Sequence, residues 1–158
     1  MESKETGIKL AAAAFLGGAG EALGWKGVML LMLAAAMCLD YISGTLAAKK
    51  NGEWSSKVAR EGLFHKGGII LVTSGALIAD VLFLVAIPHI PVFGGIDNPG
   101  VFLPLVLAWY IITELGSIME NAGKMGAPLP AWFKKAIAAA GNGMDKAGDA
   151  ITEGDKHD

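Results

Sequence analysis

The chain has 158 residues, of which 53% are hydrophobic and 18% charged, with a formal net charge of −2. Its mean hydropathy is +0.49. A chain this short cannot bury that much apolar surface in one soluble core, and it is too apolar for disorder, so a single-domain integral membrane protein is left. The balance of charge offers no basic surface for nucleic acid. The lone Cys38 allows neither an intrachain disulfide nor a zinc site built from cysteines.

A hydrocarbon core about 30 Å thick takes about 20 helical residues to cross. Four apolar stretches predict helices at about 10–23, 27–48, 67–87 and 101–121. None alternates polar with apolar residues, so helices are expected rather than barrel strands. The first stretch is short, rich in Ala and Gly, and carries Glu21. It reads as a fourth, shorter span, with a re-entrant or surface-lying helix as the other reading. Gly24-Trp25-Lys26 forms a tight connection to the second stretch, whose one charge is Asp40.

Residues 49–66 read as a charged loop, and the third stretch after it has one charge, Asp80. Pro88 and Pro91 end that stretch, and Gly94, Gly95, Asn98, Pro99 and Gly100 supply turn chemistry. The fourth stretch carries Glu114, with Pro104 in its first turn, where a missing N–H is tolerated. Trp132, Phe133, Lys134, Lys135 and Ile137 suit the membrane surface as aromatic and basic anchors. The expected organisation is a membrane domain over residues 1–135 and a charged, solvated tail over 136–158. From 142 onward that tail has two lysines against five acids, a net of −3.

The basic residues orient the chain. The loop at 49–66 holds Lys49, Lys50, Lys57, Arg60 and Lys66 against Glu53 and Glu61, a net of +3. The loop at 88–100 has no Lys or Arg, and Lys124, Lys134 and Lys135 follow the fourth stretch. Lysine and arginine mark the cytoplasmic side, so the first and last of these regions are inside and both termini follow. Lys26 is then the one basic residue on the outer side.

A carboxylate inside a spanning helix costs about 2.5–3.5 kcal/mol on insertion scales and is a functional candidate by default. Here each strong span holds one. No Lys or Arg lies within the predicted spans to neutralise Asp40, Asp80 or Glu114, so each carries a proton, faces water or bonds across helices. Ala36, Asp40, Gly44 and Ala48 are four apart and form a ridge of small residues with an acid in it. Tyr110, Glu114, Ser117 and Asn121 are spaced four, three and four, and Thr73 shares a face with Asp80. Such stripes either bind the helices of one copy together or join copies and turn toward water in an assembly. Three acids in so small a bundle favour the second reading.

Nothing supports catalysis. His65, His89 and His157 stand apart from one another, and no phosphate-binding loop, serine elbow or Cys–His pair is present. No cofactor is expected.

Asp40-Tyr41-Ile42-Ser43-Gly44-Thr45-Leu46-Ala47-Ala48 resembles the D-Y-x-[ST]-G-x-x-A-A signature of the toxin-secretion and phage-lysis holin family. Further pieces agree in order. Ser55-Ser56-Lys57, with Gly62-Leu63-Phe64-His65-Lys66 after it, is similar to a basic loop ending in lysine, and Asp80 matches an acid in the following helix. Residues 114–121 resemble E-x-x-S-I-x-E-N, and residues 126–130 resemble G-x-P-x-P. The likeness covers about residues 25–135.

The resemblance implies a phage holin. Such a protein oligomerises in the bacterial cytoplasmic membrane and opens timed lesions that release an endolysin to the cell wall, or exports a toxin lacking a signal peptide. Its partners would be the bilayer, further copies of itself and, without direct contact, the endolysin. Asp40, Tyr41, Gly44, Asp80, Glu114, Ser117 and Asn121 become candidates for assembly or lesion lining. A small ion channel or transporter subunit, and an antiholin or membrane scaffold, are the competing classes.

Overall fold

The computed structural model describes the backbone of residues 2–86, 89 and 100–153, with side chains over 24–86 and 100–151. Four helices and no strand occur among the described residues: α1 (Glu2–Lys50), α2 (Ser56–Ala86), α3 (Phe102–Lys124) and α4 (Ala131–Glu153). Three segments are long and apolar enough to cross a membrane: Gly24–Lys50, Ser56–Ala86 and Phe102–Lys124. The side chains of the first predicted span lie outside the described residues. So do the expected turn at 90–99 and His157.

The connection expected at Gly24-Trp25-Lys26 is a kink at Gly24, where two helical segments of α1 meet. Gly24 takes φ 66° and ψ 178°, a backbone setting that glycine reaches without penalty. Both α1 and α3 end the same way. The Glu53 N–H bonds the Ala48 carbonyl at 2.9 Å and the Gly52 N–H bonds that of Lys49 at 3.2 Å, with Gly52 at φ 73°. At the end of α3 the Ala127 N–H bonds the Ala122 carbonyl at 3.0 Å and the Gly126 N–H bonds that of Gly123 at 2.9 Å, with Gly126 at φ 91°. These paired bonds satisfy carbonyls that a helix end leaves open. The two ends sit side by side, since the Lys50 ammonium donates to the Met125 carbonyl. α1 and α3 are therefore parallel and pack directly on each other, and α2 lies against α3 in the opposite direction.

The structure corrects one expectation about an element boundary. The loop expected at 49–66 is short, because α2 starts at Ser56. Ser55 caps it, its hydroxyl accepting the Val58 N–H at 3.2 Å, and Lys57 pairs with Glu61 one turn on. Lys66 is consequently a helical residue and not part of a loop. α4 continues as a helix across position 135 as far as Glu153. Its apolar face is covered by α3: Ile137 lies against Gly116 and Gly141 against Ile112. Trp132 remains exposed.

α3 contacts each of the other three helices. The core around it is Leu33, Ile69, Leu103, Leu107 and Ile111, with Met29, Met37 and Tyr110 at its edge. The outer face of α2 is different. Phe64, Leu71, Ile78, Leu82, Leu84 and Val85 are all exposed. A continuous apolar face of this kind is unsuited to water and suited to lipid.

Candidate functional site

Three of the quoted sequence motifs meet at one point between α1, α2 and α3. The Lys66 ammonium of α2 donates to Asp40 Oδ2 of α1 at 2.6 Å and to Glu114 Oε2 of α3. Asn121 lies two turns beyond Glu114 on the same face of α3, and its amide donates to Asp40 Oδ1 and Ser43 Oγ, each at 3.1 Å. Ser43 passes the chain on by donating to the Asp40 carbonyl at 3.0 Å. Asp40 is ten residues from the end of α1, Glu114 ten from the end of α3, and Lys66 ten from the start of α2. At 1.5 Å per residue all three lie about 15 Å in from the same side of the bundle.

This resolves the question of the unpaired acids for two of the three. Lys66 pairs with both because Ser55 starts α2 two turns or more before the lysine. With two carboxylates and one ammonium, the cluster has one carboxylate in excess, and Asn121 turns its amide hydrogens toward it. Buried charges are tolerated when they are paired and hydrogen-bonded, as these are.

The small residues of the ridge make room for this. A Cβ on Gly44 would sit 3.4 Å from Asn121 Nδ2, so Gly44 lets α3 bring its amide to α1. Tyr41 lies against Gly62 of α2, where a Cβ would be 3.6 Å from the ring. Ser117, on the same stripe of α3, is half-buried. Of the basic residues expected in the loop, Lys49 lies over the Trp54 ring at 5.5 Å, Lys57 pairs with Glu61, and Arg60 is exposed.

Asp80 has a separate task at the other end of the bundle. It accepts the Phe102 N–H at 2.9 Å and the Leu103 N–H at 3.1 Å, and so caps α3 from α2. The residue at the start of α3, Val101, has no capping side chain of its own. A carboxylate here satisfies two orphan donors and meets the positive end of the helix dipole. Phe83 and Phe102 stack beside it with ring centroids 5.4 Å apart. Lys26, the basic residue on the unexpected side, donates to the Gly100 carbonyl at 3.2 Å just before this cap. Thr73 and Asp80 do share the buried face of α2, with Ile69 and Ala76.

Sequence reasoning missed Ser43 and the pairing role of Lys66. The signal for Lys66 was present: Ser55 followed by an i, i+4 pair at Lys57 and Glu61 marks a helix start ahead of the lysine.

The sequence matches the bacteriophage holin family over residues 17–142. The chain belongs to the bacteriophage holin family. Asp40, Lys66, Asp80, Glu114 and Asn121 all fall within the matched region. The chain is similar to an uncharacterized protein of Halalkalibacterium halodurans, 32% identical over 111 residues that make up 70% of this chain and 76% of the relative. An uncharacterized protein of Listeria innocua is 33% identical over 132 residues, covering 83% and 80% of the two chains. An uncharacterized 14.9 kDa protein from the nagH 3′ region of Clostridium perfringens is 29% identical over 116 residues, covering 73% and 78%. No solved structure matches this holin-family chain.

Proposed function

We propose that this holin-family protein accumulates in a bacterial cytoplasmic membrane and, at a set density of copies, opens lesions wide enough for a folded protein. The cargo is an endolysin bound for the cell wall or a toxin without a signal peptide. Residues 49–55 and the turn after α3 face the cytoplasm, as Lys49 and Lys50 in the first and Lys124, Lys134 and Lys135 beside the second favour. The observation that carries the reading is the cluster of Asp40, Lys66, Glu114 and Asn121, in which separate family motifs hold three apolar helices as one unit. While it is intact, Asp40, Lys66, Glu114 and Asn121 are sheltered between the helices and the outer face of α2 is apolar, so single copies diffuse in lipid without perforating it. Assembly then brings helices of neighbouring copies into contact. Loss of the membrane potential favours the change, since moving one charge across the field is worth about 2.3 kcal/mol per 100 mV.

The test is inducible expression in bacteria together with an endolysin lacking a signal peptide, followed by turbidity. The expected record is a level phase and then abrupt clearing, with growth arrest but no clearing when the endolysin is omitted. Abundant membrane-inserted protein in cells that keep growing overturns the proposal. Cells that leak potassium but retain the endolysin support an ion channel instead.

A further inference from the structure

The end of α3 and the start of α4 leave a hollow of about 750 Å³ between them. That volume lies within the range of about 300–1,000 Å³ usual for ligand clefts. Gly116, Met119 and Ile137 form its apolar part, and Glu120, Lys124 and Lys134 its polar part. The tight turn between the helices brings the two lysines together. A Cβ on Gly123 would sit 3.2 Å from Leu129 Cδ1, so the turn folds back closely on α3 and returns Lys134 to the level of Lys124.

Lys124 is the last residue of α3. Gly116 lies eight residues before it, about 12 Å deeper into the span. The hollow therefore runs from the membrane surface toward the hydrocarbon. Trp132, two residues before Lys134, is exposed, as a tryptophan at the lipid–water interface is. Charge at this level is positive: residues 120–135 hold three lysines against one acid. Lys124 and Lys134 are both exposed. Among the described residues Glu120 forms an ion pair with neither.

We propose that this hollow holds one phospholipid with a net negative headgroup. Its phosphodiester bridges the Lys124 and Lys134 ammonium groups, and an acyl chain lies along Gly116, Met119 and Ile137. Basic hollows between helices at a membrane surface take such headgroups, and ammonium-to-phosphate hydrogen bonds are among the strong ones. A zwitterionic headgroup adds an ammonium that Glu120 attracts and two lysines repel, so the balance of charge decides for the anionic lipid. The bound lipid ties α3 to α4 across the turn, and the docking of α4 then follows the anionic lipid content of the membrane. The inference needs lipid around α3 and does not depend on the opening of lesions.

The experiment is native mass spectrometry of the full chain, titrated in detergent micelles with dioleoyl phosphatidylglycerol. One retained lipid per chain is expected, with the phosphatidylcholine and phosphatidylethanolamine of the same acyl chains held at least about fivefold more weakly. Lys124→Gln and Lys134→Gln are each expected to weaken phosphatidylglycerol binding about fivefold, the factor one lysine contributes at an anionic surface. Lys135→Gln, next in sequence but outside the hollow, is the control and changes binding by less than about twofold at about 0.15 M salt, where charges are screened beyond about 8 Å. Ala138→Phe, which fills the apolar part from an exposed position, weakens binding with both lysines in place. Glu120→Gln strengthens it about twofold, a gain that a misfolded variant does not give. Equal losses for Lys135→Gln and Lys134→Gln, or competition by soluble glycerol phosphate as strong as by the lipid, overturn the site. Phosphatidylethanolamine that binds best and is weakened by Glu120→Gln overturns the anionic headgroup.

Discussion

Removing the Lys66 ammonium is the sharpest perturbation the fold offers. Its side chain is 12% exposed, and its partners are Asp40 at 17% and Glu114 at 2%. Lys66→Met keeps the length and apolar stem of the side chain but leaves two carboxylates facing each other in the bundle. Breaking a buried pair by deleting one member typically costs about 3–5 kcal/mol, or roughly two to nearly four orders of magnitude in the folded-to-unfolded ratio. The exposed Lys57–Glu61 pair, 3.8 Å apart and one turn along α2, is the natural control. Lys57→Met is expected to cost only about 0–1 kcal/mol, as exposed helix pairs do. The triple change Lys66→Met, Asp40→Asn, Glu114→Gln removes all the charge together and is expected to recover most of the loss, since neutral replacement of a whole buried ion cluster is often tolerated. Unfolding of the purified protein in mixed micelles titrated with sodium dodecyl sulfate measures all three. If Lys66→Met unfolds at the same denaturant fraction as Lys57→Met, the cluster does not hold the helices together.

Asp80→Ala strips the cap from α3 and leaves the Phe102 and Leu103 N–H groups without an acceptor, for a loss of about 1–3 kcal/mol in the same titration. Asp80→Asn, which keeps one acceptor oxygen, should lose less, and equal losses for the two would count against the capping role. Gly44→Leu drives a side chain into Asn121 and is expected to cost about 1–3 kcal/mol by overpacking while leaving membrane insertion intact. Alkali-resistant membrane association reads the insertion, and an unchanged unfolding profile would refute the contact. Asp40→Asn and Glu114→Gln should each shift the onset of clearing in the endolysin assay without preventing insertion, and unaltered onset for both would separate the cluster from the trigger.

Much of the architecture was legible because membrane insertion is a local property. An apolar run long enough to cross hydrocarbon declares itself, and α3 and the main part of α1 lie close to where their runs put them. The same holds for the polar stripes, whose spacing of three and four reflects the helix repeat. Thr73 with Asp80 and Glu114 with Asn121 each share a face as that repeat requires. Where local charge and helix formation pulled apart, the reading failed. Lysines and glutamates between 49 and 66 look like a loop, yet Ser55 and the Lys57–Glu61 spacing carry α2 down through them. The charged residues after Asn142 stay exposed on α4, and their spacing leaves Ile137, Gly141 and Met144 on the side toward α3.

The sequence by itself determined that this is a membrane protein of apolar helices, each main span carrying an acid, with the residues of the holin family. Length and periodicity suffice for that, because each helix satisfies its own backbone. Only the tertiary structure decided what each acid does. Which carboxylate meets Lys66 and which meets the bare start of α3 depends on the rotation and axial offset of helices far apart in the chain. No spacing within a single helix encodes those two quantities, and packing around α3 sets both.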